Sequence, residues 1–387
     1  MRRVLAALLG LALSLAAIFF SVLGHQADAR LNTPGRLGPP ANVSERAAKL
    51  HRALRIVDLH ADSLLWDRDL LERHAYGAVD VPRLVDGNVA IQTFTIVTSA
   101  PFGLNIDRND DRSDMIQLLA AANRWPPACL SRLLPRALHQ CALLGSAARR
   151  SGGKLTLVLT AADLRAFLER RTREPRIAAG WLGVEGAHAL DGDLDGVDRL
   201  YDAGVRMVGP AHFFDNDIGG SSAGVEKIGL TAKGRELVAR MEERRMIVDL
   251  AHASHATIAD VLQVASRPVI VSHTGVRGSC DNNRNLTDEE LSAIARKGGL
   301  VGIGFFPTAV CGRSAADVAR ALRHAVTIAG VDHVALGSDW DGATSTPFDA
   351  EGIVALTDAL VSSGWSDDEI GAVMGENAIR FLQANLP

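Results

Sequence analysis

The chain has 387 residues, 47% of them hydrophobic, and a net charge of −4 from 41 basic and 45 acidic residues. That length suits one large α/β barrel or two ordinary domains. The charges are mixed along the chain with no clustered basic stripe, which excludes a nucleic-acid-binding face.

Arg2 and Arg3 precede an apolar run from Val4 to Gly24, and the small-x-small triplet Ala27-Asp28-Ala29 follows. A basic start, an apolar stretch and such a triplet mark a secretory signal peptide over residues 1–29. The run is long enough that an uncleaved membrane anchor is the alternative. Either reading makes the protein exported: periplasmic, extracellular, or held at the membrane by its N-terminal segment. Residues 30–45 contain Pro34, Pro39 and Pro40 and read as a linker, leaving 46–387 as the folded unit.

Eight short apolar segments then read as strands: 55–58, 89–97, 181–184, 205–208, 246–249, 268–271, 299–304 and 334–337. Amphipathic stretches lie between most of them. Leu230 to Glu243 and Ala315 to Gly330 are two. Thr287-x-x-Glu290 and Ser366-x-x-Glu369 are capping boxes, the second opening a final helix through Leu382. Continuous apolar strands alternating with helices predict a parallel sheet. Eight such units predict a (β/α)₈ TIM-like barrel, with a doubly wound open sheet as the alternative. Ser99 to Arg150 is a helical insertion, broken by Pro126, Pro127 and Pro135, and Leu155 to Leu159 reads as a strand outside the barrel.

Export permits disulfides among Cys129, Cys141, Cys280 and Cys311. Two local pairs, 129 with 141 and 280 with 311, are the simplest of three connectivities, beside free buried thiols. No C-x-x-C exists, which argues against cysteine-based metal binding.

The C-terminal ends of barrel strands are where such folds place their chemistry. The first predicted strand runs into His60-Ala61-Asp62, and the third ends at Glu185. His212, His252 and His273 follow the fourth, fifth and sixth strands, and Asp339 follows the eighth. A lone histidine after a strand is ordinarily a loop residue, and a lone aspartate a helix cap. Six strand ends carrying an imidazole or carboxylate make a pattern that neither explains. Residues i and i+2 of a strand project to one side, so His60 and Asp62 can share a cation. Imidazole and carboxylate suit zinc. Glu185 has two oxygens with which to bridge two ions, and His252 with His273 can hold the second. The pattern predicts two zinc ions per chain, about 3.5–4 Å apart, activating a bridging hydroxide.

In order and spacing, Asp58-Leu59-His60-Ala61-Asp62, Gly183-Val184-Glu185-Gly186-Ala187-His188, Asp249-Leu250-Ala251-His252, Ser272-His273, Arg284-Asn285 and Gly337-Ser338-Asp339-Trp340-Asp341-Gly342 resemble the membrane dipeptidase (renal dipeptidase) family of zinc peptidases. The resemblance runs from about Ile56 to the C-terminus. It implies a dipeptidase with dipeptide substrates. His60 and Asp62 would bind one zinc, His252 and His273 the other, with Glu185 bridging. Asp339 would be the acid/base, and His212 would polarise the scissile carbonyl. Arg284 would hold the substrate's C-terminal carboxylate, a role suited to a guanidinium. It also implies a homodimer and raises the 280–311 disulfide above the other pair. The segment after His212, Phe213 to Ser222, departs from the family, as does Phe305-Phe306-Pro307 where the animal enzymes carry tyrosines. Substrate preference is therefore not implied.

Two other functions stay open on sequence. One is a different binuclear amidohydrolase, acting on lactams, lactones or N-acyl amino acids. The other is an envelope protein that binds metal or peptide without turnover. The complete set of candidate ligands argues against the latter.

Overall fold

The computed structural model describes residues 24–387 continuously and, before them, only residues 3–5, 8, 10, 11, 14, 15 and 22. The apolar run read as signal peptide or anchor thus falls almost wholly outside the described residues. Among the described residues, no helix is long and apolar enough to cross a membrane.

Among the described residues nine strands form: β1 (Ile56–Ala61), β2 (Val89–Val97), β3 (Leu155–Leu157), β4 (Ala178–Glu185), β5 (Val205–Val208), β6 (Ile247–Val248), β7 (Ile270–Thr274), β8 (Leu300–Ile303) and β9 (Val334–Leu336). Eight coincide with the predicted segments, and β3 pairs with β4 off the main path, as the sequence suggests. Every pairing is parallel, in the order β6-β5-β4-β2-β1-β9-β8-β7. The two ends of this path meet at one isolated parallel bridge between Asp249 and Ile270, where Leu250 N donates to Ile270 O at 2.8 Å. The sheet therefore closes on itself as a TIM-like barrel, and the open doubly wound alternative falls away.

Burial explains why these segments become strands. Every residue of β1, β2 and β4 is buried, as expected for parallel strands covered on both faces. One face contributes Val57, Leu59, Ile91, Trp181, Met207, Ile247, Ile270, Leu300 and Ala335 to an inner cluster. The other, including Ile56, Phe94, Val184, Val208 and Ile303, packs with the residues of the surrounding helices. The inner residues stand mostly in the first halves of their strands. The C-terminal helix Asn377–Asn385 adds Ala378, Ile379, Phe381 and Leu382 to them. It therefore plugs the end where the strands begin, and the opposite end is left to polar side chains.

The capping boxes hold: Thr287 with Glu290 opens Asp288–Arg296, and Ser366 with Glu369 opens Asp367–Gly371. The predicted single final helix is interrupted by a π-helical turn, Ala372–Glu376. Gly375 lies in that turn, and a Cβ there would come within 1.8 Å of Arg55 O. The turn brings backbone directly against the start of β1, which a regular helix with a side chain at that place could not do. The insertion folds as Met115–Ala122, a 3₁₀ turn Pro127–Leu130, and Leu133–Arg150.

At the N-terminal side, Gly24–Leu31 is helical and Ser44 caps the helix Glu45–Ala53. The stretch read as a linker lacks regular structure after Leu31, yet it is bonded to the barrel. Gly35 N donates to Thr346 O at 2.7 Å and Asp349 N to Arg36 O at 3.1 Å.

The plug generates one expectation. Leu382 is fully buried, so Leu382→Ala removes its packing and leaves a cavity at a cost of about 2–5 kcal/mol. Thermal unfolding should register this as a lowered Tm, with metal stoichiometry unchanged because the strand mouths lie at the other end. An unaltered Tm would show that the helix does not close the barrel.

Candidate metal centre and active site

The strand ends deliver their side chains by different local devices. At β1, Asp58 accepts from Ser338 N at 2.7 Å, Ser338 Oγ at 2.8 Å and Gln92 Nε2 at 2.6 Å. This fully buried carboxylate ties β1 to β2 and to the turn after β9. The register of β1 on β2 shifts between Asp58 and Ala61. Asp62 has already left the strand, with φ −94° and ψ 29°, and leads the 3₁₀ turn Ser63–Leu65. His60 and Asp62 therefore meet because the chain bends, not through strand alternation, and His60 Nε2 lies 3.5 Å from Asp62 Oδ1. Thr95 Oγ1 on β2 donates to Asp62 Oδ1 at 2.6 Å and stands 3.1 Å from His60 Nε2.

Glu185 is the last residue of β4, and its carboxylate lies among the other groups. Its Oε1 is 3.1 Å from His60 Nε2, 3.5 Å from His273 Nε2 and 3.6 Å from His252 Nε2. Its Oε2 is 2.8 Å from His212 Nε2. His252 Nε2 and His273 Nε2 face each other at 2.8 Å, and Asp339 Oδ1 is 3.9 Å from His60 Nε2. The seven residues form three overlapping groups able to hold a metal ion: His60, Glu185 and His273; Glu185, His212 and His252; His60, Asp62 and Asp339. All seven expected residues thus converge. The grouping differs from the expected division, since His212 and Asp339 stand among the ligand groups.

The donor set fits metal ions. Glu185 Oε1 is buried without a hydrogen-bond partner, as is His252 Nδ1. A buried polar atom left unmatched is costly. Burial works against charge on His60, yet Glu185, Asp62 and Asp339 outweigh it and push the imidazole up to about 10. Burial, reinforced by Asp62 and Glu185 and opposed by His60, holds the Asp339 carboxyl well above the usual range. Burial holds His252 and His273 well below theirs, followed by Arg284 at His252 and by His60 and then Arg284 at His273, so both present neutral nitrogens. Three carboxylates in so small a volume demand positive charge, supplied by protons here and equally by divalent cations that displace them.

Ser272 is a support that the sequence reading did not single out. Its buried Oγ lies 3.2 Å from His60 Nδ1 and 3.0 Å from His273 Nδ1. For both Nε2 atoms to offer lone pairs inward, both Nδ1 must carry protons, and one hydroxyl oxygen can accept two. Ser272 N in turn donates to Asp249 Oδ1 at 2.8 Å. Thr95 was also missed. The available signal was Thr93 and Thr95 at alternate positions of a strand whose only other polar residue is Gln92.

Backbone strain is concentrated here. His252, Asp339 and Asp341 have φ of +62°, +64° and +62°, a region costing non-glycine residues about 1–3 kcal/mol each. Between the latter two and the next loop residue sits Gly342, where a Cβ would stand 2.1 Å from Asp339 Oδ1 and 3.1 Å from Asp62 Oδ2. Only glycine lets these carboxylates approach that backbone.

Arg284 is buried rather than on the surface. Its Nη2 donates to His273 O at 2.9 Å, and its guanidinium lies 5.7 Å from the Phe306 ring. Phe213 packs 3.7 Å from the His212 ring and 5.1 Å from that of His252. The two segments that depart from the family pattern therefore place phenylalanines beside the centre. The disulfide Cys280–Cys311 links the loop carrying Arg284 to the turn after Phe306. Cys129 and Cys141 are buried free thiols, so the second local pair does not form. His188 packs on Phe214, 4.9 Å between rings, and burial pushes its imidazole down to about 3. His255, three residues past His252, pairs with Glu290 at 2.7 Å.

Replacing Ser272 with alanine should loosen both imidazoles it serves. Metal affinity is expected to fall about 10- to 100-fold, measured by competition with a chromophoric chelator. An affinity equal to the unsubstituted protein's would remove Ser272 from the site.

Comparison with known proteins completes the picture. The family described as "Membrane dipeptidase (Peptidase family M19)" matches residues 44–385. The dipeptidase aclJ of Aspergillus oryzae is 27% identical over 348 residues, covering 84% of this chain and 77% of that protein. Among solved structures, a metallopeptidase described as dipeptidase AC is 27% identical with a TM-score of 0.70, covering 86% of this chain and 99% of its own. A Rhodobacter sphaeroides metallopeptidase, solved with a phosphinate mimic of the dipeptide L-Ala-D-Ala, is 26% identical with a TM-score of 0.69 and the same coverage, 86% and 99%. The match extends over nearly all of the folded unit, and metal-binding groups stand where the barrel places its chemistry, so the chain belongs to the membrane dipeptidase family of metallopeptidases, hydrolases of the peptide bond.

Proposed function

We propose that the chain is a zinc-dependent dipeptidase that cleaves dipeptides bearing a free C-terminal carboxylate, using two zinc ions per chain. The observation that carries this reading is a buried guanidinium, Arg284, beside seven metal-binding side chains gathered from six strand ends. Support also comes from the Rhodobacter relative, whose bound molecule mimics a dipeptide. His60, Asp62, Glu185, His252 and His273 would hold the metals, with Glu185 between them. Bound there, the ions would supply a water acidic enough to ionise near neutral pH.

The chain's own residues do the rest. Arg284 binds the substrate carboxylate and so sets the distance from the C-terminus to the scissile bond. A longer peptide has no carboxylate at that place. His212 donates to the scissile carbonyl oxygen as negative charge builds there. Asp339 takes a proton from the attacking water and delivers it to the departing amine nitrogen. Phe213 and Phe306 offer apolar surface to the substrate's side chains. We read the protein as exported, in keeping with its disulfide.

Protein stripped of metal by a chelator should lose hydrolysis across a dipeptide panel and regain it at about two equivalents of zinc per chain. Full activity without metal would end the reading. Arg284→Ala should raise KM about 10- to 100-fold, since charged hydrogen bonds contribute about 1.5–3 kcal/mol. C-terminally amidated dipeptides should be equally poor substrates for both proteins. An unchanged KM would place the carboxylate elsewhere.

A further inference from the structure

The triplet Ala27-Asp28-Ala29, which resembles a leader cleavage site, is built into the fold. Asp28 lies in the helix Gly24–Leu31 and is 2% exposed. Its Oδ2 is 2.7 Å from Arg68 Nε, and Arg68 Nη2 is 2.7 Å from Asp341 Oδ2. These are ion pairs without the alignment of hydrogen bonds, and all three side chains are buried. Gly77 makes room for the guanidinium, since a Cβ there would stand 2.0 Å from Arg68 Nη1.

Asp341 is the hub of two segments that carry metal-binding residues. Ser63 Oγ, next to Asp62, donates to its Oδ2 at 2.6 Å, and Ala78 N donates to its Oδ1 at 2.7 Å. Trp66 Nε1 donates to its carbonyl at 2.8 Å. On the other side it belongs to the turn Asp339–Ala343, in which Asp339, Asp341 and Ala343 all have left-handed backbone. Such a turn persists only where its surroundings hold it. Asn32 holds the far end, accepting from Ala343 N at 2.9 Å, and donates from Nδ2 to Asp28 Oδ1 at 2.8 Å. The N-terminal helix and the residue after it thus hold the turn at two places, through Asp28–Arg68–Asp341 and through Asn32. Ala27 packs against the apolar cluster that includes Leu65 and Trp66, just after His60 and Asp62.

We propose that Asp28 is a positioning residue for Asp339, acting through Arg68 and Asp341, so that the helix Gly24–Leu31 belongs to the working enzyme and export processing spares it. A cut after Ala29 would remove Asp28 and leave Arg68 with one of its two carboxylates. The turn would then keep its hold from Asn32 but lose the link from Asp28 through Arg68 and Asp341 that sets the Asp339 carboxyl against the site. The kinetic part rests on the dipeptidase reading above.

The test uses the full chain, zinc-loaded, with Asp28→Ala, Arg68→Lys and the double variant. Lysine keeps the charge but lacks the fork that reaches two carboxylates. Each single variant should lose kcat about 10- to 100-fold, the scale of a misplaced catalytic group, with KM within about twofold and zinc content unchanged. The double variant should be no worse than the poorer single, because both break one link. Unchanged kcat in Asp28→Ala, or losses that multiply in the double variant, would overturn the proposal. Wild-type protein inert towards all dipeptides would instead sink the dipeptidase reading. Intact-mass measurement of the exported protein then judges the inference by itself: an N-terminus upstream of Asp28 supports it, and one at Arg30 overturns it.

Discussion

Three imidazole nitrogens crowd one oxygen of Glu185, and the rest of the molecule can be understood as what makes that crowding tolerable. A buried carboxylate is expensive, and three of them within reach of one another are more so. Glu185, Asp62 and Asp339 survive burial because four histidines and Arg284 surround them and because cations can enter. The mixture of a raised His60 and depressed His252 and His273 follows from the same geometry. His60 faces three carboxylates, while the other two feel the positive charge of Arg284 and of the neighbouring imidazoles.

The barrel separates this cost from its compensation. Apolar side chains fill the half where the strands begin, and the C-terminal helix seals it. The polar residues are confined to the other half, where turns rather than strands set their aim. Those turns carry the left-handed backbone of His252, Asp339 and Asp341. Strain at the mouth is thus borne by packing at the base, a division that a single uniform core could not provide.

Much of this was legible in the sequence, for physical reasons. Strands buried on both faces are continuously apolar, so all eight barrel strands could be located, and the residues just beyond them pointed to the centre. What failed was local geometry. His60 and Asp62 were expected to align through strand alternation, but the chain bends between them, and nothing in the composition of His60-Ala61-Asp62 signals a bend. Ser272 and Thr95 were missed because a hydroxyl in an apolar strand is common, and only three-dimensional closure shows what it touches. The pairing of Asp28 with Arg68 left no trace because the two stand forty residues apart and Asp28 lies in a triplet that matches a cleavage pattern. The final helix was drawn straight because a π turn leaves no periodic mark over five residues.

The closing bridge between β6 and β7 has a consequence of its own. β6 contributes two residues, and its bond to β7 is a single bridge, whereas β2 and β4 share seven paired positions. Few backbone bonds make a locus of low local stability, where a barrel breathes first. His252 and His273 stand on opposite sides of that seam with their Nε2 atoms 2.8 Å apart. Any cation held by both would span one of the thinly bonded joints of the ring like a rivet. A cation bound there would add its own bonds to a seam that is already closed, and amide exchange along β6 and β7 would report the added protection.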